Sequence, residues 1–141
     1  MKKLIAAIII AAAAAGFAEN GKTQWTVEKW HAAREAGDYR EMYYLVQSGK
    51  TVRTARAELG DAALFRRYTE LITLHFPKYS PGVISTALLH MEKLLPAVDP
   101  LRALADLTSI NARVELVAQK EPERWASARK RMARMRKAVN K

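Results

Sequence analysis

The apolar positions follow two regimes. Residues 4–15 form an unbroken apolar run behind Lys2 and Lys3, whereas from Thr26 onward apolar residues recur at spacings of three and four. The second regime is that of amphipathic helices, each with one buried stripe. Thr26 can cap a helix running to about Ala36, with Val27, Trp30 and Ala33 on one face and Gly37 at its end. Asp38 starts the next helix, and Glu41 three residues later completes a capping box; Tyr39, Met42, Tyr43 and Val46 form the stripe, and Ser48-Gly49 closes it. Thr51 opens a shorter helix with Val52, Ala55 and Leu59 inward. Gly60 stops that one and Asp61 caps a longer helix over residues 62–76, whose stripe is Phe65, Tyr68, Leu71, Ile72 and His75, with Pro77 blocking continuation.

Ser80-Pro81 and Asp99-Pro100 each set a capping side chain before a proline at the first helical position. The first of these helices, to about Leu95, buries Ile84, Ala87, Leu88, Met91 and Leu95. The second, to about Gln119, carries Leu101, Leu104, Leu107, Ile110, Val114 and Val117. Residues 110–116 also alternate apolar with polar, a strand pattern, but with no partner strand elsewhere a helix is expected. Pro122 opens the last helix, to about Val139. The expected fold is all-α, a compact bundle of six to seven short helices. Glu35-Ala36-Gly37-Asp38 and Glu58-Leu59-Gly60-Asp61 echo each other at an offset of 23 residues. One short match does not make a repeat array, so reused turn chemistry is the better account.

The first regime reads as an export signal over residues 1–18. Lys2 and Lys3 are its positive start, and Gly16-Phe17-Ala18 puts small residues at both positions that a signal peptidase inspects. The apolar stretch 4–18 falls short of the ~20 residues that span a hydrocarbon core. Cleavage after Ala18 is therefore expected, with a working chain that starts at Glu19 and is periplasmic or secreted. Retention of the segment as a membrane anchor is the alternative. The chain has no cysteine, which excludes lipid attachment, disulfides and thiolate metal sites.

Charge sharpens the picture at the other end. Without Lys2 and Lys3 there are 22 basic and 14 acidic residues, a net +8. Residues 120–141 hold nine of the basic and two of the acidic ones, so the helical body of residues 19–119 is almost neutral. Within this tail Trp125, Ala128, Met132, Met135 and Val139 make one narrow apolar seam, and Arg129, Lys130, Arg131, Arg134, Arg136 and Lys137 occupy the rest. Such a basic amphipathic helix suits an anionic membrane surface, an acidic partner groove or nucleic-acid phosphate. In an exported chain, nucleic acid is expected to bind only non-specifically. Alternatively the seam docks on the body and the charges solvate it; the helix either belongs to the same domain or projects from it.

Candidate chemistry adds little. His31 and Glu35 share a helix face at a spacing of four, half of a metal site at most, while His75 and His90 lie on or beside apolar stripes. Glu35, Glu58, Glu70, Glu92 and Glu115 fall amid polar surface, and no serine sits in a Gly-x-Ser-x-Gly elbow. No catalytic residue, cofactor site or small-molecule substrate is evident. Trp25, Trp30, Tyr39, Tyr43 and Tyr44 cluster within twenty residues; a Trp/Tyr-rich hairpin core is the favoured reading, with Trp25 and Tyr44 the candidates for an exposed contact surface. The expectation is an exported, non-enzymatic binding or accessory protein of a bacterial-type cell envelope, meeting a protein partner or an anionic membrane through the basic helix. An envelope enzyme acting on peptidoglycan or another polymer is the alternative. A membrane-tethered assembly component with its N-terminal helix retained is the second.

Overall fold

Local capping builds the elements. A computed structural model describes residues 25–140 apart from Ser48, and the expected export signal lies outside the described residues. The Thr26 side chain accepts the Lys29 N–H at 3.1 Å and opens α1 (Val27–Ala36). Gly37 closes it in the left-handed conformation at φ 67°, with its own N–H on the Arg34 carbonyl (3.2 Å) and that of Asp38 on the Ala33 carbonyl (2.8 Å). That paired pattern is a Schellman turn. Asp38 Oδ1 then accepts the Glu41 N–H at 3.1 Å, opening α2 (Tyr39–Gln47), which packs on α1. The described residues contain seven α-helices and no strand.

The chain divides into two compact units at Glu58 and Leu59. In the first, α3 (Gly49–Leu59) begins before Thr51, the expected start. Thr51 is buried, and its hydroxyl donates to the Tyr44 carbonyl at 2.7 Å, fastening α3 to the end of α2. The buried stripe of α2 is Met42, Leu45 and Val46, with Tyr39 and Tyr43 half-buried at its margin. Trp25, a candidate for an exposed contact surface, is 4% exposed and belongs to the core. Its backbone N–H donates to Thr54 Oγ1 at 2.8 Å, which draws the start of the described chain onto α3 and takes the indole inward.

The second unit starts with a turn that resembles the first in sequence alone. Gly60 has φ 83° and ψ 164° and itself occupies the N-cap of α4 (Asp61–His75); Asp61, expected to cap, is the first helical residue. Only glycine enters that backbone region readily. Asp61 sits one place later, where its carboxylate faces the positive end of the helix. Pro77 turns the chain into a short 3-10 segment, Phe76–Lys78, and the Ser80 side chain accepts the Val83 N–H at 3.3 Å to open α5 (Pro81–Leu94). A second 3-10 turn, Leu95–Ala97, precedes α6 (Pro100–Ala118), capped by Asp99 Oδ2 on the Arg102 N–H at 3.1 Å.

Two expectations fail on α6 and after it. The buried face is Ala103, Asp106, Leu107, Ile110, Val114 and Ala118, so Leu101 is 79% exposed and Leu104 and Val117 are half-buried. A helix that packs on two neighbours buries the stripe pointing between them, and small Ala103 and Ala118 extend that stripe. Pro122 lies in a turn, and α7 starts later, as Ala126–Val139. The turn carries the chain far enough for Trp125 to stack on Phe76, with ring centroids 5.3 Å apart. In this unit α4 packs on α5 and α6, and α7 packs on the same two helices. The four thus form a closed bundle around Phe65, Tyr68, Ile72, Leu88, Met91, Ile110 and Met135.

Candidate functional site

The seam proposed from sequence as a contact surface is core. Trp125, Ala128, Met132 and Met135 are all buried, and Val139 is half-buried. Burying each large side chain of this kind contributes roughly 1.5–3 kcal/mol, far more than a fully exposed helix gains from solvated charges. The seam therefore faces α5 and α6, and Trp125, Met132 and Met135 are packing residues rather than binding residues.

Charge then sorts the remaining positions into flanks. Towards α6, Arg129 holds Glu115 with two hydrogen bonds, Nε to Oε2 at 3.0 Å and Nη2 to Oε1 at 3.1 Å. Towards α5, Arg134 holds Glu92 in the same way at 2.9 and 3.1 Å. Arg131 reaches the Glu92 carboxylate at 3.6 Å, and its Nε donates to Ser85 Oγ at 3.3 Å. The Arg134 hydrogen bonds hold the Glu92 carboxyl below the usual carboxylate range; burial opposes this, and the charges of Arg134 and Arg131 add to it. Ion pairs this exposed contribute between nothing and about 1 kcal/mol each, so they fix the rotation of α7 while the seam supplies its stability.

Three cations of the expected site have no such role. Lys130, Arg136 and Lys137 are exposed and enter no ion pair among the described residues. Lys130 and Lys137 lie seven residues apart on the face opposite the seam, with small Ala126 and Ala133 beside them. Arg129, Lys130 and Arg136 line a shallow groove of about 580 Å³ between α6 and α7, together with Asn111, Glu115, Pro122, Ala126 and Ala133. Of its cations, Arg129 is held by Glu115, while Lys130 and Arg136 are exposed. The chemistry this allows is the recognition of negative charge.

The other candidates are dispersed. Tyr44 is half-buried and lines a separate recess of about 400 Å³ with Asp38, Arg40 and Glu41 in the first unit. His31 and Glu35 are both exposed on α1, and no group of three or more metal-ligating side chains gathers among the described residues. His90 stacks on Tyr68 with centroids 5.9 Å apart, and its pKa is lowered by burial and by the nearby Lys93. One charged group escaped sequence reasoning. Asp106 is buried on α6 and accepts from Arg66 Nη1 of α4 at 2.6 Å. Its place on the 103–107–110 stripe is the signal in the sequence, masked by Leu101 and Leu104, which fit the same apolar period. Comparison with protein-family models, with curated proteins and with solved structures finds no match to this chain.

Proposed function

We propose that this is an exported, non-enzymatic binding or accessory protein of a bacterial-type cell envelope, which contacts an anionic surface or acidic partner through the outward face of α7. The observation that carries the reading is the separation of roles on that helix. Arg129, Arg131 and Arg134 are committed to Glu115 and Glu92, whereas Lys130, Arg136 and Lys137 are exposed, the first two lining a groove with Ala126 and Ala133. Three exposed cations on one helix give it a local positive potential that a negative surface complements. The buried seam supports a different mechanism from the one that periodicity suggests: α7 stays docked and binds by charge, without inserting its methionines. Export rests on the residue pattern of 1–18, and an intact mass beginning at Glu19 tests it.

Binding of the exported chain to soluble long-chain polyphosphate, followed across a salt series, tests the contact. Exposed charges act over a Debye length of ~8 Å at physiological salt, so affinity is expected to fall steadily as salt rises. Affinity indifferent to salt would count against a charge-driven contact.

A further inference from the structure

The two ends of the four-helix bundle are finished differently. At one end the Phe76–Trp125 stack seals the space between the close of α4 and the start of α7. At the other, where α5 ends, α6 begins and α7 ends, an apolar groove of about 340 Å³ stays open, lined by Leu95, Pro96, Val98 and Pro100 from the α5–α6 connection and by Ala138 and Val139 of α7. Every side chain lining it is apolar. Next to Pro100 in the chain, Leu101 stands 79% exposed, the most exposed large apolar residue described. Pro96 and Ala97 are exposed beside it.

Charge surrounds this patch. The last turn of α5 carries Lys93, the first turn of α6 carries Arg102, and the last turn of α7 carries Arg136 and Lys137; all four are exposed and none is ion-paired among the described residues. The acids at this end are Asp61 and Asp99, both at helix N-termini, where Asp99 accepts the Arg102 N–H and the helix dipole offsets negative charge, and Glu92 in the last turn of α5, whose carboxylate is held by Arg131 and Arg134. An apolar patch rimmed by cations complements a surface that is negative at the outside and hydrocarbon beneath. We propose that this end of the bundle is a peripheral docking site for an anionic lipid membrane, with Leu101 and the 95–100 connection entering the acyl boundary and Lys93, Arg102, Arg136 and Lys137 meeting headgroup phosphates. The proposal rests on the reading of α7 as an anion-contacting helix and names the anion's source. No helix among the described residues is long and apolar enough to cross a membrane.

The test compares the full exported chain on three probes: vesicles of phosphatidylglycerol and phosphatidylcholine, vesicles of phosphatidylcholine alone, and soluble polyphosphate. Leu101→Ser leaves every charge in place and alters a side chain that packs on almost nothing. It is expected to weaken binding to the anionic vesicles by about tenfold or more, from loss of a leucine's burial, with melting temperature and polyphosphate affinity unchanged. In Leu101→Trp, the new indole is expected to be quenched by brominated lipid. Unaltered vesicle binding by Leu101→Ser, or an unquenched indole in vesicle-bound Leu101→Trp, overturns the proposal. So does a wild-type chain that binds polyphosphate and ignores anionic vesicles, or one that binds both kinds of vesicle equally. A Lys130→Glu/Lys137→Glu variant that binds polyphosphate like wild type overturns instead the reading of α7, and leaves the Leu101 results to be judged alone.

Discussion

Trp125 stacks on Phe76 with its ring centroid 5.3 Å away and the planes 23° apart, which joins the start of α7 to the end of α4. From that anchor Ala128, Met132 and Met135 run down the bundle axis, buried at each step. The most basic segment of the chain is thus also one of the four core helices of the second unit.

Removing part of that helix should unfold the second unit. Met135→Ala is expected to cost about 2–5 kcal/mol, the range for deleting a large buried side chain, and Met135→Asp more, because it buries a carboxylate without a partner. Deleting residues 129–141 should abolish the cooperative transition. Thermal or urea melts followed by circular dichroism measure this; a Met135→Asp chain melting like wild type would mean that the seam is not packed.

The two echoed turns should respond unequally to the same substitution. Gly37 is left-handed at φ 67°, a conformation that asparagine tolerates, whereas Gly60 at φ 83° and ψ 164° lies where glycine alone is comfortable. Neither would press an added Cβ against anything within 4 Å, so backbone strain decides the outcome. Gly37→Asn is expected to be nearly neutral and Gly60→Asn to cost about 1–3 kcal/mol. Equal effects would contradict the difference between the turns.

Acidification should weaken the second unit in two stages. His90, whose pKa is lowered by burial and then by Lys93, stays neutral in the fold while the unfolded chain protonates near pH 6.5; its contribution is present above that pH and lost as pH falls through the folded value. His75, lowered by burial and then by Lys78, acts in the same direction. Glu92, lowered chiefly by the Arg134 hydrogen bonds, contributes above its unfolded value and loses that stability as pH falls through its folded one. Melting temperatures at pH 7.5, 5.5 and 3.5 should therefore decline in steps. His90→Gln should shrink the first step and Glu92→Gln the second.

Much of this architecture is legible in the residues, because it is set locally. Thr26, Asp38, Ser80 and Asp99 each cap the helix that their spacing predicts, and Pro77 and Pro96 each force a 3-10 turn. What depends on neighbours is less legible. Leu101 and Ala103 both fit the apolar period of α6, and only packing against α4 and α7 decides that the alanine goes in and the leucine out. The candidate site suffered the same ambiguity: the α7 seam could serve core or partner. Its partition into ion-paired and unpaired cations needed Glu92 and Glu115, which lie 42 and 14 residues along the chain from Arg134 and Arg129.

On the proposed reading, the outward cations of α7, rather than net charge at large, make the contact. Polyphosphate affinity should be measured for wild type, for Lys130→Glu/Lys137→Glu, and for Arg34→Glu/Arg53→Glu, which removes the same charge from exposed positions on α1 and α3. The first pair is expected to weaken binding by at least about tenfold, the second by no more than about threefold, with all three chains melting alike. Equal losses from the two pairs would mean that net charge, and not the face of α7, drives binding.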